Sequence, residues 1–293
     1  MRRQFLVWCK GRFSERYIKN MRVVLDRFDP VIEGVRDVDR LFAVCGDGAR
    51  RELWFAVRNL LKFCWEHGWD KKWISQLMNV MPKCPKSGVD LRSPREPEVL
   101  SLLRFLHKAA LKYEAFYNLI LDSAVRPFHG LEILNDWNWR KLEIVSDGVY
   151  KYYANIEREE KHCWVIFVSG YTVNLIEKLD EKLTVNGYCC FQRRHKLPRP
   201  KHVQRFAYNQ MRRRGVDRDV AEFLSGRKPD GVGEKHYAEL LMLAEEQYPT
   251  YAKYVTELRK KAGLILSKIH NIHRKNEADR YYPRYEMLAK IKR

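Results

Sequence analysis

The sequence predicts a mainly α chain of the α+β class: an all-helical first domain, then a second helical domain that carries one small antiparallel sheet. Three observations predict this. Apolar residues recur at helical spacing through the first 80 positions and again beyond residue 95. Between positions 141 and 170 the pattern changes to three short runs, KLEIV, VYKYYANIE and CWVIFVSG, dense in β-branched and aromatic residues. The stretch PKCPKSGVDLRSPREP, with four prolines, a glycine and scattered charges, breaks every periodicity and reads as a linker.

In FSERYIKNMRVVLDRF, Ser14 is placed to cap a helix on which Ile18, Met21, Leu25 and Phe28 share a face. DVDRLFAVCG reads as a short second helix. ARRELWFAVRNLLKFCWEHGW reads as a long third, striped by Leu53, Val57, Leu60, Leu61 and Cys64 and stopped at Gly68. WISQLMNVM is a fourth. The first domain is therefore drawn at 1–82 and the linker at 83–95. Helical pattern resumes at EPEVLSLLRFLHKAALKYEAFYNLILDSAV and stops near Arg126 and Pro127. After the strands, with REEK (158–161) as a charged hairpin tip, helices return at TVNLIEKLDEKL, 201–214, DRDVAEFLSG and EKHYAELLMLAEE. The second domain is drawn at 96–250, followed by a basic amphipathic tail at 251–293.

Composition narrows the function. A net charge of +19, distributed along 293 residues, suits a partner that is a polyanion, and nucleic acid is favoured over a membrane surface. No apolar run approaches the roughly 20 residues of a membrane span, and the opening MRRQFLVWCKGRF does not have the form of a signal peptide. The seven cysteines include no CxxC pair and read as free thiols of a reducing compartment. HNIH at 270–273 has no accompanying ligand cluster and reads as surface histidines, so neither a metal nor a cofactor is expected.

The chemistry concentrates around PKHVQRFAYNQ. Val203, Phe206, Ala207, Gln210 and Met211 supply a partly apolar stripe. His202 and Arg205, three positions apart, project together from the first turn, where free N–H groups, an imidazole and a guanidinium suit a phosphate. Taken alone, HxxR is equally an ordinary surface pair. Its context is more specific. Gly215-Val216-Asp217 follows, with Asp217 placed to cap the next helix. That helix ends at Leu224-Ser225-Gly226-Arg227, and a Gly-rich loop leads to Tyr237.

This order resembles the catalytic domain of the tyrosine recombinases, the phage-integrase family of DNA strand-exchange enzymes. That family runs HxxR, G-[VI]-[DP], LGH and a nucleophilic tyrosine at a similar interval. DSAVRPFHGLEILNDWNW matches its first arginine region, with Arg126 followed by Leu131, Leu134 and Asp136. The family's hairpin lysine is matched best by Lys161, with Lys151 as the other candidate. Departures are His129 where a glutamate is frequent, Arg227 in place of the LGH histidine, and a slightly longer loop before Tyr237. Arg227 can donate to a phosphate oxygen but cannot accept a proton as a neutral imidazole does. Such divergence is reminiscent of integrases of archaeal viruses and plasmids.

The resemblance implies a site-specific recombinase that works without metal or ATP through a 3′-phosphotyrosyl intermediate. Its catalytic set would be Arg126, Lys161, His202, Arg205, Arg227 and the nucleophile Tyr237, with Tyr248, Tyr251 and Tyr254 as nearby rivals. It further implies double-stranded DNA with specific recombination sites as partner, a homotetramer on that DNA from a free monomer or dimer, and a cytoplasmic location on chromosomal, plasmid or viral DNA. The tail would pack on a neighbouring protomer, on DNA or on its own domain. Two other readings share the scaffold: a type IB topoisomerase-like relaxing enzyme, and a non-catalytic DNA-binding protein.

Overall fold

The computed structural model describes residues 2–86, 88, 90–158, 161–227 and 236–264, with the backbone alone for Arg2, Asp47, Arg158, Lys161, His236 and Tyr237. The His270/His273 pair and the tail beyond Leu264 lie outside the described residues. The chain divides into two compact units, Met1–Leu91 and Arg92–Arg293.

The first unit is all helical: α1 (Arg2–Cys9), α2 (Glu15–Phe28), α3 (Val35–Ala43), α4 (Asp47–Glu66) and α5 (Lys71–Val80). Ser14 caps α2, its hydroxyl accepting the Tyr17 N–H at 3.4 Å, and Asp29 in the left-handed region ends it. Asp70 caps α5 by accepting from the Lys72 and Trp73 N–H groups at 2.8 and 3.2 Å. Leu25, Val38, Leu53, Val57, Leu61, Ile74 and Leu77 form the core. The sequence reading missed α1, whose eight residues contain too few turns to show a helical period. The helix is held by tertiary contacts: Phe5 is fully buried against the edge of Phe63, and the Trp8 indole donates to Glu66 at 2.8 Å.

The second unit begins with α6 (Glu96–Leu106), α7 (Leu111–Ser123) and α8 (Pro127–Asn135), where the sequence suggested one continuous helical run up to Arg126. The chain turns at 107–110, and α7 ends with Ala124 at a left-handed φ of 53°. α7 is the centre of this unit, with every residue from Glu114 to Ser123 buried. Gly130 lets α8 close upon it, since a Cβ there would stand 3.3 Å from Val125 and 3.4 Å from Ile120.

A single 3-10 turn at Trp139–Lys141 leads into the antiparallel sheet β1 (Leu142–Ser146), β2 (Val149–Arg158) and β3 (Lys161–Ser169), in the order β1-β2-β3. Register pairs Leu142 with Tyr152 and Tyr150 with Val168, and irregularity between Tyr153 and Ile156, where Asn155 has φ 49°, bends the long hairpin. β3 is buried along most of its length and packs on α7. The remaining helices are α9 (Gly170–Glu177), α10 (Val185–Arg194), α11 (Pro200–Arg213), α12 (Arg218–Leu224) and α13 (His236–Lys261).

Three expectations change here. α9 stops at Glu177, short of the predicted 172–183 helix. α10, started by Thr184 accepting the Gly187 N–H at 3.0 Å, was not foreseen, because GYCCFQRR has no apolar stripe long enough to show a period. α13 runs unbroken through position 250 to Lys261 despite Pro249.

Candidate active site

Arg126 occupies the N-cap of α8, directly before Pro127, which its fixed φ suits to the first helical position. The left-handed residue Ala124 turns the chain so that the Arg126 guanidinium reaches the carbonyl of Gly226 and donates to it through Nη1. Gly226 follows α12 at φ +72°, and a Cβ there would stand 2.9 Å from the His162 carbonyl oxygen and 3.4 Å from His129 Nδ1. Only glycine combines this left-handed conformation with so close an approach to β3. Arg227 comes next, its N–H accepted by the Glu222 carbonyl at 2.9 Å. Burial and then the Arg227 charge hold Arg126 below the ordinary arginine value, so the two cations lie within electrostatic reach. Such a pair of half-buried and exposed guanidinium groups is an anion-attracting arrangement.

α11 starts one residue earlier than expected, at Pro200. Val203, Phe206, Ala207 and Met211 are buried and fasten the helix to the core. His202 is itself 7% exposed, so the imidazole sits within the protein body, not on an open face. Arg205 is half-buried, and its Nη1 donates to the Arg92 carbonyl at 2.7 Å. Arg212 donates to the Val216 carbonyl and closes the turn at Gly215, where φ is +85°.

Asp217 does not cap α12 with its side chain, as the sequence suggested. Gln247 of α13 captures it instead: the Asp217 N–H donates to Gln247 Oε1 at 2.8 Å, and Gln247 Nε2 donates to Asp217 Oδ2 at 2.7 Å. A side chain thirty positions away thus takes up both the Asp217 N–H and its carboxylate.

The two lysine candidates differ. Lys161 opens β3 at the hairpin end, opposite Arg158, and its side chain lies outside the described residues. Lys151 is 5% exposed near the start of β2, with Glu245 Oε1 at 2.6 Å and Glu143 Oε2 at 2.9 Å. Burial opposes its charge, but hydrogen bonds from Lys151 to Glu245 and Glu143 outweigh burial and hold it above the ordinary lysine value.

Tyr237 is the second residue of α13; its backbone lies in the first helical turn and its side chain outside the described residues. The rival tyrosines are committed elsewhere. Tyr248 is fully buried and donates to the Asp122 and Phe167 carbonyls at 2.9 and 3.3 Å, and Tyr251, also fully buried, donates to the Leu121 carbonyl at 2.5 Å. Burial, then the Asp122 charge, pushes both phenols well above the ordinary tyrosine value. Tyr254 donates to Glu96 at 3.0 Å beneath the Arg214 guanidinium, 3.4 Å from the ring centroid.

Beyond Gln247, α13 is fixed by a buried polar node. Arg259, with no exposed surface, donates to Asp122 at 2.7 Å, Ser169 at 2.8 Å, Asn118 at 3.0 Å and Thr172 at 3.2 Å. The structure therefore brings Arg126, Gly226 and Arg227 together, and sets His202 and Arg205 on α11, which packs against α7, α8 and α12. It commits Lys151 and the three downstream tyrosines to other partners. Sequence reasoning missed Tyr208, one turn beyond Arg205 on α11, whose ring faces Arg227; its i+3 spacing from Arg205 was the available signal. Among the described residues, no group of three or more His, Cys, Asp or Glu side chains is arranged to hold a metal ion, and no helix is long and apolar enough to cross a membrane.

Residues 92–254, nearly all of the described second unit, match the family model described as archaeal phage integrase. Among solved structures, the chain is similar to the integrase from mycobacterium phage Brujita, at 12% identity and a TM-score of 0.40, with 85% of this chain and 91% of that chain covered. It is also similar to XerA recombinase, at 15% identity and a TM-score of 0.31, with coverages of 87% and 96%. Comparison with curated proteins gives no significant match. With the matched region spanning more than half of the sequence, the chain belongs to the archaeal phage integrase family.

Proposed function

We propose that this integrase is a site-specific DNA recombinase that integrates or excises a mobile element by cutting and rejoining strands through a 3′-phosphotyrosyl intermediate. The observation that carries the reading is the junction of Arg126 with Gly226 and Arg227, beside the helix bearing His202 and Arg205. Residues a hundred positions apart converge there as cations suited to one phosphate.

In this reading the Tyr237 hydroxyl oxygen attacks the scissile phosphorus while the bond to the 5′-oxygen breaks. Arg126 and Arg205 donate to the non-bridging oxygens and stabilise the charge of the pentacoordinate transition state. Arg227 completes the cradle as a donor. His202 takes the phenolic proton or donates to phosphate, and Lys161 protonates the leaving 5′-oxygen. Lys151 is a poor candidate for that step, since both of its carboxylate partners hold its proton. Attack by another strand's 5′-hydroxyl then reverses the chemistry and seals the exchange, with the bond energy conserved in the covalent link.

Free tyrosine titrates near ~10, so a nucleophilic tyrosine needs nearby cations and a base. The buried, hydrogen-bonded state of Tyr248 and Tyr251 supports Tyr237 as nucleophile. Double-stranded DNA carrying the recombination sites is the partner, and paired sites are held in a tetramer.

The test is a nicked suicide substrate carrying a cognate site. Wild type is expected to give a detergent-resistant protein–DNA adduct that vanishes with Tyr237→Phe. An adduct that persists in that variant would overturn the nucleophile. Supercoil relaxation without strand transfer would favour the topoisomerase-like alternative.

A further inference from the structure

We infer that Tyr208 and Glu222 form a bracket that positions Arg227 for phosphate, a role made necessary by the arginine that stands at this place in the chain. The inference rests on the recombinase reading of the site. Arg227 is exposed, and a long guanidinium side chain at the end of a seven-residue helix has several rotamers available. It is not left to them. Its Cζ sits over the Tyr208 ring, 5.1 Å from the centroid. The Tyr208 hydroxyl is in turn held by Glu222 Oε1 at 3.4 Å, and Arg218 Nε approaches the same oxygen at 3.2 Å. Glu222 also accepts the Arg227 N–H at its own main-chain carbonyl, so one residue fixes both the backbone of Arg227 and the ring beneath it.

The direction this imposes is functional. Tyr208 lies one helical turn from Arg205, and Arg227 is within electrostatic reach of Arg126. The ring therefore holds the Arg227 guanidinium beside the face of α11 that carries Arg205, within electrostatic reach of Arg126. A histidine, with its short and rigid side chain, would need no such platform; a flexible arginine does. Tyr208 is thus a positioning residue that acts through Arg227.

The test uses full-length protein in single-turnover cleavage of a suicide substrate, with DNA affinity measured separately. Tyr208→Leu is expected to slow adduct formation about two- to five-fold, the factor corresponding to loss of an exposed cation–π contact, with DNA affinity unchanged. Tyr208→Phe keeps the ring and loses only the 3.4 Å bond to Glu222, so its rate is expected to fall between wild type and the Leu variant, which separates positioning from folding. In an Arg227→Ala background, Tyr208→Leu should cost nothing further. A Tyr208→Leu enzyme as fast as wild type, a Phe variant as slow as the Leu variant, or losses that multiply in the double variant would each overturn the inference. A wild type that forms no adduct overturns the recombinase reading itself, and a wild-type adduct keeps the two outcomes apart.

Discussion

The Arg259 guanidinium donates to the Asp122 carboxylate at 2.7 Å, and both side chains are shielded from solvent, at 0% and 1% exposure. The pair joins the last turns of α13 to the end of α7, and Ser169 and Thr172 complete the coordination of Asp122 at 2.7 and 2.6 Å. Such a node adds little to stability compared with an apolar core of equal volume, but it is costly to break in half.

Arg259→Met is accordingly expected to destabilise the protein by about 3–5 kcal/mol, because it leaves the Asp122 charge buried without its cation. Urea unfolding measures this. Replacing both residues, as Arg259→Met with Asp122→Leu, should recover part of the loss, and a double variant worse than the single would contradict the account.

Gly226→Ala introduces a methyl group 2.9 Å from the His162 carbonyl, at a backbone conformation L residues disfavour. The end of α12 must then move from β3, taking the Gly226 carbonyl away from Arg126. Loss of cleavage greater than the loss of thermal stability is the expected outcome, read from adduct formation and melting temperature on the same preparation.

Arg126→Ala should leave DNA binding largely intact while cleavage falls by about 10²–10³, the effect typical of removing one transition-state donor. Single-turnover rates at saturating DNA check it. A fall confined to DNA affinity would make Arg126 a binding residue only.

Burial pushes the Cys163 thiol up to about 12, against the lowering influence of Arg126, and Cys9 up to about 11. A thiol pKa raised in the fold contributes stability that is complete below the ordinary value near ~8.5 and is lost as pH rises through the folded values. Stability is expected to fall progressively above that ordinary value. At pH 8 a thiol reagent should modify exposed Cys190 first and reach Cys163 only on unfolding, with Cys190→Ser removing the fast phase.

Much of the fold was legible in the sequence because its signals are local. Ser14 and the Met21–Leu25 spacing mark α2, and dense β-branched and aromatic residues mark β1, β2 and β3 close to their observed limits. α1 and α10 were not legible, since each is about two to three turns long and is held by contacts, such as Phe5 with Phe63, made at great sequence distance. The Asp217 cap failed for the same reason: the Asp217 carboxylate accepts from Gln247, thirty positions away, and not from the first turn of α12.

By itself the sequence determined the order of the motifs, the helical setting of His202 and Arg205, and the basic character of the chain, because periodicity and composition act over neighbouring residues. The tertiary structure decided which members of that inventory share a site. It joined Arg126 to Gly226, placed Tyr208 under Arg227, gave Lys151 to two carboxylates and buried Tyr248 and Tyr251. Those outcomes depend on desolvation and on hydrogen-bond partners brought in by packing, which no spacing along the chain encodes.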